Sequence, residues 1–543
     1  MRHAKAVSRS AVLVFLATTA SCVGEMPPPP QLTVTSPQRG MVRSGAGHVE
    51  VKGIAAPGSD GSAIAKVTVN KVPATLAADG SFLVDVELPD GAMLLETVAY
   101  SAEGGAATDA RAVQVGQLRP VGTTIERAVT ASLSADAFAR LSAAAGPLVK
   151  DTDFTTLLAP LQPMANLGDS LANLKLSITK LSLGNVKIKL TPVNGGLQFS
   201  AQLDGLDLSA RAAYGGTFVP DGTATIGVTS DQITISGTLA VTPAGTAGFT
   251  TKIMAPTVTT TALRLQASGL AGQVLDLMNN NLSSTVQSIT TRSAERALEP
   301  LINAALGALG GPQKIDVLGN KLELQASPAA ITFSTAGALV TMNVGAKLAG
   351  SESSPGYIFT PNGTPTMNVA NGIQLGLADD LINELLAEVH ALGLLDIHVQ
   401  ENFGLFDTAD IKLSMPPMIS ANNADGSMRL VLGDMIATFS DHGKTVIRAA
   451  INAQVDLAIA RGTTAQEIAL QFGKVHVFVN VIGEPASEVG DLTGAATAGI
   501  ALQLDSLSQF LITVPVPAVA GVKLDSLALR ADSGYVVVSG NVH

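Results

Sequence analysis
Few residues in this chain are placed to do chemistry. Gly168-Asp169-Ser170-Leu171 sets a serine behind an aspartate in a glycine turn, an arrangement that could serve a hydrolase. Such a serine needs a base to take its proton, here a histidine carried in a later Asp-x-x-His run. None of the seven histidines, at 3, 48, 390, 398, 442, 476 and 543, has an aspartate three residues before it. No histidine pair has the H-E-x-x-H spacing of a zinc site, and there is no G-x-S-x-G elbow, P-loop or dinucleotide fingerprint. Asn422 to Ser427 (NNADGS) has the flavour of an acidic loop but lacks calcium-loop spacing and its closing glutamate. The expectation is therefore a protein that is not an enzyme, with no catalytic residue, no metal site and no cofactor.

The single cysteine carries a different chemistry. Arg2, His3, Lys5 and Arg9 precede an apolar run, Ala11 to Ala20, which has the length of an export signal and is too short for a membrane-spanning helix. Thr19-Ala20-Ser21-Cys22 follows at once and resembles a bacterial lipobox, in which the cysteine is acylated and becomes the new N-terminus; Thr19 stands where that motif prefers leucine. Cys22 is thus the expected lipid anchor, several acyl chains making the attachment stable. Val23 follows it in place of the aspartate that retains many lipoproteins at the inner membrane, which points to an outer-membrane lipoprotein facing the periplasm or the cell surface. With one cysteine there is no internal disulfide.

Composition narrows the class. The chain has 543 residues, 46% hydrophobic, 14% charged and 3% aromatic, with no tryptophan; its mean hydropathy is +0.35. Lys+Arg number 33 against Asp+Glu 44, a net charge of −11, and loss of residues 1–21 with Arg2, Lys5 and Arg9 makes it −14. An acidic surface with no basic run repels phosphates, so nucleic acid is excluded as a partner.

The elements divide the chain into an export signal (1–21), a lipidated start and proline spacer (22–31, including Pro27 to Pro30), a β-rich segment (32–117) and two larger halves (118–312 and 313–543). Residues 32–117 alternate in short strands with turn signals between them, and ADGSFLVDVEL resembles a bacterial immunoglobulin-like sandwich. In the first half, Leu133 to Val149 reads as a helix capped by Ser134, then about 90 residues of long alternating strands run to Gly269. From Leu270 to Leu306 the period becomes helical, with Leu270, Val274, Leu277, Met278, Leu282, Val286, Ile289 and Leu298 on one stripe, about 55 Å long at 1.5 Å per residue. The second half repeats the order, with helices expected near Ala378 to Leu392 and Ala495 to Phe510.

The strand ALRLQASG leading into that long helix, the run Leu375-Gly376-Leu377-Ala378-Asp379-Asp380 before LINELLAEVHALGLLDI, and the ending VPVPAVAGVKLDSLALRADSGYVVVSGNV resemble the family of bactericidal/permeability-increasing protein, lipopolysaccharide-binding protein and the plasma lipid transfer proteins, across roughly residues 120–543. The resemblance implies an α+β chain of two tandem barrels, each wrapping a long helix and joined by a central sheet, with an apolar lipid pocket in each. It implies phospholipid or another acyl lipid as the ligand, contacted by Phe138, Leu141, Leu270, Val274, Leu277, Met278, Leu282, Val286, Leu381, Leu385 and Leu502. Two departures matter: no disulfide can form in the first barrel, and Lys175, Lys180, Lys187 and Lys189 alternate with apolar residues as a solvated face would, without a strongly basic tip. The expected function is a cell-envelope lipoprotein that binds and transfers lipid. The competing reading is a structural or adhesive surface lipoprotein with filled barrels.

Overall fold
The computed structural model describes residues 27–150, 153, 156, 158–267, 270, 272–306, 311–317, 319–367, 372–400, 406–421, 427–461, 467–483, 514–515 and 524–542. Among the described residues strands make up 62% and helices 14%, with three α-helices: α1 (Ala135–Lys150), α2 (Gly272–Leu306) and α3 (Asp379–Ala391). Described residues 27–36, 50–85 and 96–109 form one compact unit and the remainder a second.

Residues 31–115 fold as short strands in a four-stranded and a five-stranded sheet. Alternation is what makes them: in Ser81–Leu88, Phe82, Val84, Val86 and Leu88 are buried while the residues between them face outward.

The first half is built on one long sheet. Its strands lie in the order Ala165–Gly168, Asn173–Ser182, Gly196–Gly216, Val219–Pro243 and Phe249–Thr261. A 25-residue strand such as Val219–Pro243 would run about 80 Å if straight, at roughly 3.3 Å per residue. The sheet curls instead, helped by register shifts at Ile178/Lys180, Tyr214/Gly216 and Ser236/Thr238. Its concave face carries the main core, to which α1 contributes Phe138 and Leu141 and α2 contributes Val274, Met278, Val286 and Ile289. Ser134 caps α1 as its position predicts, its hydroxyl accepting the Ala137 N–H at 3.2 Å.

A seven-stranded sheet follows, in the order Gly311–Val317, Asn320–Ser334, Gly337–Leu348, Ile125–Ser134, Ile373–Ala378, Tyr535–Val542 and Leu524–Asp532. The last sheet comprises Ile397–Gln400, Thr408–Lys412, Met428–Asp441, Lys444–Arg461, Glu467–Val481 and Val514–Pro515, with Met418–Ser420 beside Met428–Asp441. At its inner strand the buried Asp434 accepts hydrogen bonds from Arg39 Nη1 (3.0 Å), Gly40 N (2.7 Å), Ala112 N (3.3 Å) and Asn452 Nδ2 (3.0 Å). A charge taken out of water is held only by such a full set of donors.

The expectation of two barrels that each wrap a long helix is corrected here. The described residues are mostly strand, and only α2, with 35 residues, is long. In the second half the described helix, α3, has 13 residues and gives way through Gly393 (φ +65°) to the strand Ile397–Gln400. That helix has the bounds its sequence suggests, near Ala378 to Leu392, and it is too short to be the second long helix of the expected architecture. The helix expected near Ala495 to Phe510 lies outside the described residues, as do Cys22, Leu502 and most of NNADGS.

Candidate functional site
The long sheet has a crease, and an apolar cleft lies inside it. Asn173–Ser182 and Asn185–Val193 run end to end along the single partner Gly196–Gly216, pairing with Asp207 to Gly215 and with Gly196 to Asp204 respectively. Both sides of this ladder break at one level, at Gly184 and Gly205. Gly205 has φ +65°, a conformation glycine adopts at little cost, and a side chain there would come to within 3.7 Å of Gly184. The inward-facing phase slips at the break: Phe199, Ala201 and Leu203 point in before it, Leu206, Leu208 and Ala210 after it. The next strand slips at the same level, from Val228 and Ser230 to Ile233 and Ile235. On the exposed side, Gln202 Nε2 and Gln232 Nε2 donate to Asp204 at 2.9 and 3.2 Å, and those bonds hold its carboxyl below the usual carboxylate range.

Across the crease lies the C-terminal half of α2. Leu183, Val186, Leu203, Leu206 and Ile233 of the sheet face Val286, Ile289, Thr290, Ser293, Ala297 and Leu298 of the helix, leaving a cleft with about 50 Å³ of free volume. That is less than the roughly 150 Å³ of a cavity that takes up benzene. An acyl chain therefore enters only if α2 lifts from the sheet or the leucines repack. Two hydroxyls on this helix, Thr285 Oγ1 and Ser293 Oγ, are buried without a hydrogen-bond partner, and of these only Ser293 lines the cleft.

Helix α3 presents the opposite surface. Asp379, Asp380, Asn383, Glu384 and Glu388 are all buried. Their side chains accept backbone N–H groups from Ala421 (3.0 Å), Thr360 (2.9 Å), Ile419 (2.7 Å), Gly122 (2.7 Å) and Leu348 (3.0 Å). Burial pushes Asp379 up to about 6 and Asp380 and Glu384 up to about 8, and raises Glu388. Neighbouring carboxyls add to the rise at Asp380 and Glu384. The Tyr357 phenol, buried against Glu384 and Asp380, is pushed up to about 12.

Comparison with protein families and with characterised proteins finds no match. Among solved structures the chain is similar to a crystal structure of lipopolysaccharide binding protein, with a TM-score of 0.38 and 12% identity over 77% of this chain and 99% of that one. It is also similar to P47 of Clostridium botulinum E1, with a TM-score of 0.26 and 8% identity over 78% and 100%. Likeness at that level carries no argument about ligand or mechanism.

Of the residues the sequence singles out for lipid contact, the structure places one, Val286, in the cleft. Phe138, Leu141, Val274 and Met278 are packed core, and Leu270, Leu277 and Leu282 are partly buried against that core. Leu381 and Leu385 pack against the second core, on α3. The cleft sits one to four turns further along α2 than expected, because its position is set by the crease in the sheet and not by the richest part of the stripe. Sequence reasoning misses the sheet side entirely. Its signal is nonetheless present: in LKLSITKLSLGNVKIKL the apolar residues keep step to Ile178, then lose phase at Leu181 and again across Gly184.

The remaining motifs resolve as local structure. Asp169 of the GDSL run accepts the Leu171 and Ala172 N–H groups at 2.8 and 3.3 Å and so forms a turn. Lys175, Lys180, Lys187 and Lys189 are exposed. Asp407, Asp441 and His442 place three potential metal-ligand atoms within 4.8 Å of one another at an exposed turn, a grouping that sequence spacing does not reveal. Among the described residues no helix is long and apolar enough to cross a membrane, which says nothing of strands.

Proposed function
We propose that the protein binds acyl lipid in the cleft between α2 and the creased sheet, and that it does so at the cell envelope, held there by acylation of Cys22. The observation that carries the reading is the wall of the cleft: aliphatic or aromatic side chains of the sheet meeting the aliphatic face of α2. Burying about 14 methylenes there would contribute on the order of 11 kcal/mol before the costs of ordering the chain and of opening the cleft. Transfer of the bound lipid to an acceptor membrane belongs to the same proposal.

Mass spectrometry of residues 23–543 under native conditions tests the binding. Co-purified phospholipid or fatty acyl ligand is expected; protein that is empty and also ignores added acyl probes would overturn the reading. For the anchor, Cys22→Ser should shift the protein from the membrane to the soluble fraction. Retention after a high-salt wash would refute it.

One observation favours the competing reading, a structural surface protein with a filled interior: the free volume of the cleft, about 50 Å³, is too small for an acyl chain as it stands. The same measurement separates the two.

A further inference from the structure
The cleft is not uniformly greasy, and on the lipid-binding proposal, upon which this inference rests, the exception defines the ligand more closely. Ser293 is 7% exposed and lines the cleft between Ile289 and Ala297, and its hydroxyl has no partner among the described residues. A serine inside a helix ordinarily donates to the carbonyl four residues back, here that of Ile289. Ser293 does not. Thr290, one turn earlier, lines the same cleft and is equally buried.

A buried hydroxyl without a partner is costly, and alanine at this position would avoid the cost with no loss of helix propensity. A pocket meant for hydrocarbon alone gains nothing from it. The sheet side of the cleft is hydrocarbon from Leu183, Val186, Leu203, Leu206 and Ile233, so it offers Ser293 no side-chain acceptor, and a polar atom entering the cleft would supply one. Among the described residues the lining contains no cationic side chain: of the charged residues beside Ser293 on the helix, Arg292 Nη1 donates to the Met164 carbonyl, Glu295 accepts the Ile253 N–H at 3.1 Å, and Arg296 is exposed and does not line the cleft. A carboxylate in the cleft would therefore be a buried, unpaired charge, which is far more expensive than a neutral oxygen.

We infer that the cleft selects an acyl chain bearing a neutral oxygen acceptor, an ester carbonyl, which accepts a hydrogen bond from Ser293 Oγ while the chain lies along the crease. Plain hydrocarbon would leave Ser293 unpaired. An ionised fatty acid would leave its charge unpaired.

The test is equilibrium uptake by the full chain of three probes delivered from cyclodextrin: methyl hexadecanoate, hexadecane and, at pH 9, hexadecanoate. Bound probe is quantified by mass spectrometry. The ester should bind best. Ser293→Ala should weaken ester binding about five- to tenfold, the value of one neutral hydrogen bond, and leave hexadecane within about twofold, while Ser293→Thr, which keeps the hydroxyl, should retain ester preference. Circular dichroism confirms that each variant is folded; should Ser293→Ala fail to fold, Ser293→Cys, with its weak donor, replaces it, with the same direction of effect expected. Equal loss of ester and hexadecane, or no loss of either, overturns the role of Ser293 and leaves lipid binding standing. Tighter binding of hexadecanoate than of the ester overturns the neutrality argument. Failure of all three probes to bind the unaltered chain overturns the lipid-binding reading itself.

Discussion
Helices α2 and α3 each bury one face against curved sheets, and the faces are opposite in kind. Along α2 the buried residues are Val274, Met278, Val286, Ile289, Ala297 and Leu298, with hydroxyls as the only polar interruptions among the described residues. Along α3 they are mainly Asp379, Asp380, Asn383, Glu384 and Glu388, each taking a backbone N–H from a different part of the chain. Aliphatic packing is non-directional and tolerates a small slide; a hydrogen bond to a fixed amide does not. The difference teaches which helix is held more tightly: α3 is fastened by five side-chain bonds to backbone amides, whereas α2, among the described residues, has one such bond, from the Ile253 N–H to Glu295.

Removing one fastening should produce the largest effect. Glu384→Ala removes the fully buried acceptor of the Gly122 N–H and leaves a cavity, for a loss of about 3 kcal/mol. Ile289→Ala on α2, beside existing free volume, should lose about 2 kcal/mol, the low end for a core isoleucine. Urea denaturation of both compares them directly, and a costlier Ile289→Ala would erase the contrast.

The second effect is a pH dependence confined to α3. Asp380 and Glu384 titrate near 8 in the folded protein and near the ordinary carboxyl value of about 4 when unfolded. Between those values the folded state holds protons that the unfolded chain has released, so stability falls as pH rises from about 5 through 8. The double variant Asp380→Asn, Glu384→Gln should flatten that slope in a series of melting temperatures. Lipid content at the α2 cleft should not follow it; a parallel loss of lipid would mean that the two helices act as one.

The smallest change in stability should accompany the sharpest change in binding. Ile289→Trp places a ring in space reserved for ligand, so lipid occupancy should collapse while stability drops by less than about 1 kcal/mol, below the usual 1 to 3 for overpacking. The chain has no other tryptophan, so blue-shifted emission reports directly that the ring is buried in the cleft. A large stability loss with unchanged lipid would show packed core there.

Much of this architecture could be read from the sequence where a single segment determines it. The alternation of Asn173–Ser182, the Ser134 cap and the 3.6-residue stripe of α2 are local properties, and the helix begins within two residues of where the stripe does. The inverse holds for α3. DDLINELLAEVHA reads as an amphipathic helix with a solvated acidic face, because the amides that bury Asp380, Glu384 and Glu388 belong to Thr360, Gly122 and Leu348, which no window around residue 384 contains. The extent of that helix is nonetheless legible: the helix expected near Ala378 to Leu392 is observed over Asp379–Ala391.

The seven-stranded sheet also constrains how the chain acquires its shape in time. Ile125–Ser134 lies between Gly337–Leu348 and Ile373–Ala378, so both of its edges are filled by residues made some two hundred positions later. Arg39 meets Asp434 across a separation of 395 residues. At a synthesis rate of about 5 to 20 residues per second, that strand spends on the order of ten seconds or more with neither neighbour in existence. Its sequence, IERAVTASLS, offers open amides and an apolar face throughout that interval. A chain whose decisive contacts are its most distant ones closes its core late and folds slowly.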